Sequence, residues 1–316
     1  ESTLKTAPAA APSLVLLSHS DLQRAASQGW IQPLEEIQQM LLTEDWYDYA
    51  RLLGVSQNKG YGIPFAADAM ILAYRPALVG ATPQNWNDVL SHEAVVLFPA
   101  ADPKALFTLQ LYLSRGGTLF NDQSQLMLDS SVLEKVLEFY SNSANSDVFP
   151  SWLLRYTTDQ EIWSSFTQKS ANWAVSRTSY YLSQLPVDVA AIPVPSLGSE
   201  STSLVSGWLW AFSEPNPNQQ EISLKLLEHL VDEQFQANWT VAAGYLPVRP
   251  SSMAAWQNQV VKSLLSQITL SAQSQPTEET LEIIGPILSD AVNLVLSGEA
   301  TPFQASRSAV EKLNTR

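Results

Sequence analysis

The sequence predicts an α/β fold, and three observations carry that prediction. Short apolar runs of strand type alternate with amphipathic segments of helical period through the first two thirds of the chain. From Gln219 onward the pattern is almost wholly helical. The 316 residues allow one large domain or two lobes, and residues 60–76 suit a crossing between lobes. That stretch is nearly all apolar and aromatic, too long for one ordinary strand, with Asp68 at its centre. Pro64 reads as a break, giving two short strands that meet at the acid. The stretch fits a crossover with Asp68 facing a cleft, where ligands bind, and equally a buried strand pair with Asp68 in the turn.

Taken in order, residues 1–12 are rich in Ala and Pro and lack the basic-then-apolar order of a signal peptide. Residues 13–18 are a continuous apolar run, as in a strand buried on both faces. Ser20 or Asp21 suits the N-cap of a helix ending near Gly29. Residues 34–53 read as helix interrupted at Trp46 and Tyr47, and Pro83 or Asn85 starts a short helix. Residues 94–99 read as strand, 103–114 as helix closed by Gly116 and Gly117, 126–128 as a brief strand, and 131–141 as a helix capped by Asp129. A helix over 158–168 leads to strand 171–176 and then to Arg177-Thr178-Ser179-Tyr180-Tyr181. Residues 187–193 and 204–212 are strands. Helices follow over 219–232, 233–243, 251–268, 277–297 and 302–313, with Gly244 and Gly298 as stops and Pro247, Pro250 and Pro302 at the joints.

The composition excludes several functions. A net charge of -14 and a pI near 4.6 argue against a nucleic-acid surface, which needs clustered Lys and Arg. No apolar run reaches the roughly 18 residues of a membrane span. With no Cys in the chain, disulfides, thiolate metal sites and Cys nucleophiles are ruled out. His19, His92 and His229 stand in unrelated settings, and no zinc-protease, nucleophile-elbow, phosphate-loop or dinucleotide motif occurs. No catalytic residue, cofactor or resident metal is therefore expected.

The aromatic residues are more informative, since ten Trp and ten Tyr are many for this length. Trp173, Tyr180 and Tyr181 flank a strand-to-helix turn that also holds Arg177. Trp208 and Trp210, two apart, share one face of their strand. That face belongs either to the core or to a cleft wall, where an indole N–H finds a partner. Flat aromatic faces beside short polar groups suit sugar rings. Tyr180 and Tyr181 also suit phenolate ligation of ferric iron. Asn238-Trp239-Thr240 matches a glycosylation sequon inside a helical pattern and is set aside.

In order and spacing these segments resemble the extracellular solute-binding proteins of ABC importers, in the sugar-binding branch that includes maltose-binding protein. Residues 13–23 (Ser-Leu-Val-Leu-Leu-Ser-His-Ser-Asp-Leu-Gln) look like an early strand and ligand loop of that family, and residues 63–76 like its first interlobe crossover. Thr82-Pro83-Gln84-Asn85-Trp86 resembles the helix start just after it, and residues 166–181 the segment leading into an aromatic ligand loop. Residues 206–218 resemble the strand returning to the first lobe, Gly244-Tyr245-Leu246-Pro247-Val248-Arg249 the Gly-x-Leu-Pro-x-Arg signature, and residues 296–302 the break before the terminal helix.

The resemblance implies a two-lobed binding protein of type II with an interlobe cleft and no enzymatic activity. The first lobe would comprise residues 1–67 and 210–247, the second 69–205 and 251–316, with hinges near 67–69, 205–210 and 247–251. The family's opening strand, helix and second strand have no counterpart before Ser13, so a truncated or reduced first lobe is expected. Asp68 is implied as the acceptor of sugar hydroxyls and Tyr180 or Tyr181 as the stacking ring. Trp208, Trp210 and Trp173 would wall the cleft and Tyr245 would close it, with Arg177, His19 and Asp21 as further polar contacts. The implied partners are a carbohydrate or polyol and the permease subunits of an importer. The protein would be a monomer in the periplasm or outside the cell, membrane-anchored through a segment preceding the sequence.

Overall fold

Strand-type runs form nine strands among the residues that the computed structural model describes, which are 12–43, 45–198, 201–213 and 217–315. They are β1 (Leu14–Ser18), β2 (Val55–Ser56), β3 (Lys59–Gly60), β4 (Gly62–Tyr74), β5 (Val96–Leu97), β6 (Trp173–Arg177), β7 (Ala190–Pro193), β8 (Ser203–Phe212) and β9 (Ala272–Ser274). The chain divides into two compact units, one of Glu1–Ala69, Leu182–Gln184 and Leu204–Glu278, the other of Met70–Tyr181, Leu185–Ser203 and Glu279–Arg316.

In the first unit β8 is central. It pairs antiparallel with β1 and with residues 62–69 of β4, and β9 joins β8. A bridge between Ala67 and Leu246 extends the free edge of β4, with Ala67 N donating to Leu246 O at 3.0 Å and Leu246 N to Ala67 O at 2.9 Å. The apolar residues Leu22, Ile31, Ile37, Leu53, Ile63, Leu209 and Leu246 are buried beneath the sheet and helices. Arg249 of the Gly-x-Leu-Pro-x-Arg segment is buried too. Its guanidinium lies 3.9 Å from the Trp46 ring centroid and donates to Gln236 Oε1 and Val231 O. That buried polar network holds the segment in place rather than serving a solute.

In the second unit residues 70–74 of β4 lie between β6 and β7, both antiparallel to them, and β5 runs parallel to β6. Phe98, Phe107, Tyr140 and Phe149 form a buried aromatic core, with ring centroids between 4.8 and 6.4 Å apart. Some helix starts follow the sequence signals, but the N-cap of helix His19–Ser27 is Ser18, which accepts from Asp21 N, rather than Ser20 or Asp21. Asp129 accepts from Ser131 N and Val132 N to cap helix Ser130–Asn145. Thr158 with Glu161, and Thr301 with Gln304, form capping boxes for helices Asp159–Thr167 and Pro302–Asn314.

Several expectations are corrected. Residues 62–74 form one strand, not two, and Asp68 lies within it rather than in a turn. Pro64 is absorbed by a register shift between Pro64 and Ala66, because a bulge tolerates a residue with no N–H to give. Residues 126–128 contribute only an isolated bridge, Phe120 to Leu126. The expected helix over 251–268 is a 3-10 turn, Ser251–Ala255, followed by helix Gln259–Leu270. Residues 251–278, expected in the second lobe, group with the first unit. There β9 pairs with β8, Gln275 N donates to Val205 O at 2.9 Å, and Ser274 Oγ donates to Tyr49 O at 3.1 Å.

Candidate functional site

In the first unit the predicted polar and aromatic residues fall on one face of the sheet. Asp68 stands opposite Ser206, and Ala66 opposite Trp208, and directly paired residues share a face. Along β8 that face, Ser206, Trp208 and Trp210, is half-buried, while Val205, Gly207, Leu209 and Ala211 on the other side are buried. Period-2 spacing thus placed both Trp residues on one face, where their rings are half-buried, Ile63 opposite Trp210 is fully buried, and the Trp210 indole N–H is buried without a hydrogen-bond partner. Asp68 itself is only 6% exposed.

Tyr245 joins this face because Leu246, its neighbour, is bridged to Ala67, the neighbour of Asp68. Its phenol pKa is raised, first by burial and then by the charge of Asp68. Trp208 meets Tyr245 edge-on at 4.9 Å, Trp239 stacks on Tyr245 at 5.6 Å and 10°, and Phe65 bridges Trp239 at 4.4 Å to Trp210 at 5.7 Å. The result is a run of five aromatic rings beside one carboxylate. Trp239 and Phe65 were not foreseen. The signal for Trp239 was its place in the helix that Gly244 ends, obscured by the sequon around it.

In the second unit Arg177 ends β6, and its Nε donates to Asp159 Oδ2 at 2.6 Å. Tyr180 is half-buried and lies parallel to Trp163, 6.4 Å between centroids at 14°. Asp102 follows β5 and accepts from Lys104 N and Leu106 N, each at 3.0 Å. Burial raises its pKa, the two amide hydrogen bonds oppose that, and Asp159 and Arg177 act on it with opposite signs. These groups gather beyond the carboxyl ends of the parallel strands β5 and β6, where α/β sheets bind ligands. Asp102, Asp159 and Trp163 were also missed. Asp159 reads in sequence as an ordinary first-turn acid, and Asp102 as part of a loop before a helix.

Four predicted residues have other roles. Trp173 is fully buried between Tyr74, at 5.5 Å, and His92, at 5.6 Å, so it belongs to the core and walls no cleft. Tyr181 is also buried, and burial raises its phenol pKa. Of the tyrosine pair only Tyr180 presents its ring. Asp21 accepts from Ser18 Oγ at 2.7 Å while its own N–H donates to Ser18 Oγ at 3.1 Å, so its carboxylate serves the start of helix His19–Ser27. His19 is buried and accepts from Gln23 Nε2 at 3.0 Å, and Gln23 Oε1 in turn accepts from Glu278 N.

Burial pushes the His19 pKa down from 6.5 to about 4, with the charge of Glu278 opposing. The unfolded chain therefore binds a proton that the folded one refuses. Stability from this group is complete above about pH 6.5 and is lost as the pH falls toward 4, in total about 3 kcal/mol. Urea unfolding of wild type and His19→Gln at pH 7 and pH 4.5 is expected to show a smaller acid loss in the variant. Equal losses would mean that His19 does not carry this dependence.

Among the described residues no three His, Cys, Asp or Glu side chains converge to hold a metal ion. No helix among them is long and apolar enough to cross a membrane.

Two α/β units, each with polar and aromatic groups on a strand face or at strand ends, define the two-lobed class of binding proteins. The chain belongs to the bacterial extracellular solute-binding protein family, whose model matches residues 1–263. The maltose-binding periplasmic protein of Listeria monocytogenes, solved with maltose, is similar at a TM-score of 0.83 and 16% identity, over 99% of this chain and 86% of that one. An ABC transporter solute-binding protein of Thermotoga lettingae, bound to α-D-tagatose, is similar at a TM-score of 0.77 and 20% identity, over 99% and 88%. A binding protein of Brucella abortus (strain 2308) is 22% identical, over 82% of this chain and 68% of its own length. The family and these relatives are binding proteins, not enzymes.

Proposed function

We propose that the protein captures a sugar, oligosaccharide or polyol by hinge closure and delivers it to the permease of an ABC importer, acting outside the cytoplasm as a monomer and without catalysis. The observation that carries the reading is the face of Asp68, Trp208 and Tyr245. A carboxylate that accepts hydroxyl hydrogen bonds sits there beside aromatic rings on which C–H faces can pack. In the second unit Tyr180 is the corresponding stacking ring. The sugars named with the structural relatives support the same class of solute.

A thermal-shift and Trp-fluorescence screen over sugars, polyols, amino acids and ferric iron tests this. A solute present at a hundredfold excess over its Kd is expected to stabilise the folded protein by about 2.7 kcal/mol. The half-buried Trp208, Trp210 and Trp239 are expected to report it in emission. A shift with amino acids or iron and none with any carbohydrate or polyol would overturn the assignment. Product released from oligosaccharides would show a hydrolase or lyase instead.

A further inference from the structure

The polar groups of the second unit already answer one another. Arg177 Nε is paired with Asp159 Oδ2, their side chains 13% and 21% exposed. The Asp102 carboxylate accepts the amide hydrogens of Lys104 and of Leu106, the latter opening helix Leu106–Ser114. Asp102 also feels the charges of both Asp159 and Arg177. A guanidinium and the amides of a helix start are the two devices with which proteins hold anionic groups. Both are occupied here by carboxylates of the chain itself. The start of helix Asp159–Thr167 is closed as well, by the box in which Thr158 and Glu161 cap each other. Asp159 thus answers the guanidinium directly, and Asp102 lies within reach of both charges.

We propose that Asp159 and Asp102 make this surface selective against anionic solutes, with Asp159 as the specificity-determining residue. Neutral carbohydrates and polyols are accepted, and uronates and sugar phosphates are refused. The inference rests on the carbohydrate reading above and names the charge class of its solute. An anionic group approaching Arg177 meets two like charges that no neutral hydroxyl would feel, a repulsive element of the kind specificity requires. The first unit has the same sign, since Asp68 is the charge that acts on Tyr245. Isosteric Asp159→Asn removes the charge that answers Arg177 and leaves the capping box of its helix intact.

Calorimetric titration with glucose and maltose, against glucuronate and glucose 6-phosphate, tests this on the whole protein. Wild type, Asp159→Asn and the double variant Asp102→Asn/Asp159→Asn are compared, with thermal melts as the folding control. Wild type is expected to bind the anionic probes at least about tenfold more weakly than the neutral ones, a difference of about 1.4 kcal/mol. Asp159→Asn is expected to narrow that gap, and the double variant to narrow it further. Equal affinity of wild type for neutral and anionic probes would overturn the proposal, as would an unchanged gap in both variants. If wild type bound none of the four, a gain of anion binding in the variants would still support the charge assignment, and no gain would refute it. Should Asp159→Asn fail to fold, Asp159→Ser serves in its place.

Discussion

Replacing Gly244 with alanine is expected to destabilise the protein by about 2–5 kcal/mol and to weaken solute binding with it. Two costs add. Gly244 ends helix Glu233–Ala243 at φ 74, a conformation that costs an L-residue about 1–2 kcal/mol. A Cβ there would also stand 2.5 Å from Ser183 N and 2.7 Å from Ser183 Cα. These are backbone atoms that cannot swing aside, and such overpacking costs about 1–3 kcal/mol. The helix end and the chain around Ser183 must therefore separate, and Tyr245, the next residue, moves with them. Gly29→Ala is the control, since Gly29 has φ 69 but nothing within 4 Å of the site of its missing Cβ. Urea unfolding should show a clearly larger loss for Gly244→Ala than for Gly29→Ala. Equal losses would leave only the conformational cost and remove the close approach from the argument.

Asp68→Ala is expected to weaken binding of the solute identified by screening by roughly tenfold or more, while the fold persists. A hydrogen bond to a charged group contributes about 1.5–3 kcal/mol, and 1.4 kcal/mol is a factor of about ten in Kd. The backbone of Asp68 stays in the ladder opposite Ser206 whatever its side chain, and alanine matches Ala66, Ala67 and Ala69 around it. Titration calorimetry reads the affinity and a thermal melt reads the fold. Wild-type affinity in Asp68→Ala would remove Asp68 from the site, and an unfolded variant would assign it to structure instead.

What the sequence showed of this architecture follows from how local each signal is. Capping depends on neighbours within three residues, and at Asp129 it was read from the sequence, whereas at Thr158 and Thr301 only the helices were placed and the caps were not named. The shared face of Trp208 and Trp210 follows from strand period alone. The membership of residues 251–278 was not legible, because it is decided by β9 meeting β8 some sixty residues away, and nothing in Ala272-Gln273-Ser274 announces a strand. The site was half legible for the same reason. Asp68 stood out as an acid in an apolar stretch, whereas Asp102 and Asp159 acquire meaning only when the ends of β5 and β6 bring them to Arg177. Trp173 was misjudged because an aromatic residue next to a strand end looks the same in sequence whether it faces solvent or the core.

The continuity of β4 bears on how such a protein can be divided or recombined. One strand lends residues 62–69 to the first sheet and 70–74 to the second, with no linker at that crossing. A gene fragment ending at Ala69 would carry β1 and the first part of β4 without β8, the strand that joins them, and the complementary fragment would start with the strand on which β6 and β7 must zip. Neither half is therefore a portable module. A chimera that sought a new solute preference by exchanging one unit would have to join two foreign half-strands without a slip of a single residue, since such a slip turns every side chain to the opposite face. Change in this scaffold is accordingly easier by substitution on the faces and strand ends than by exchange of whole units.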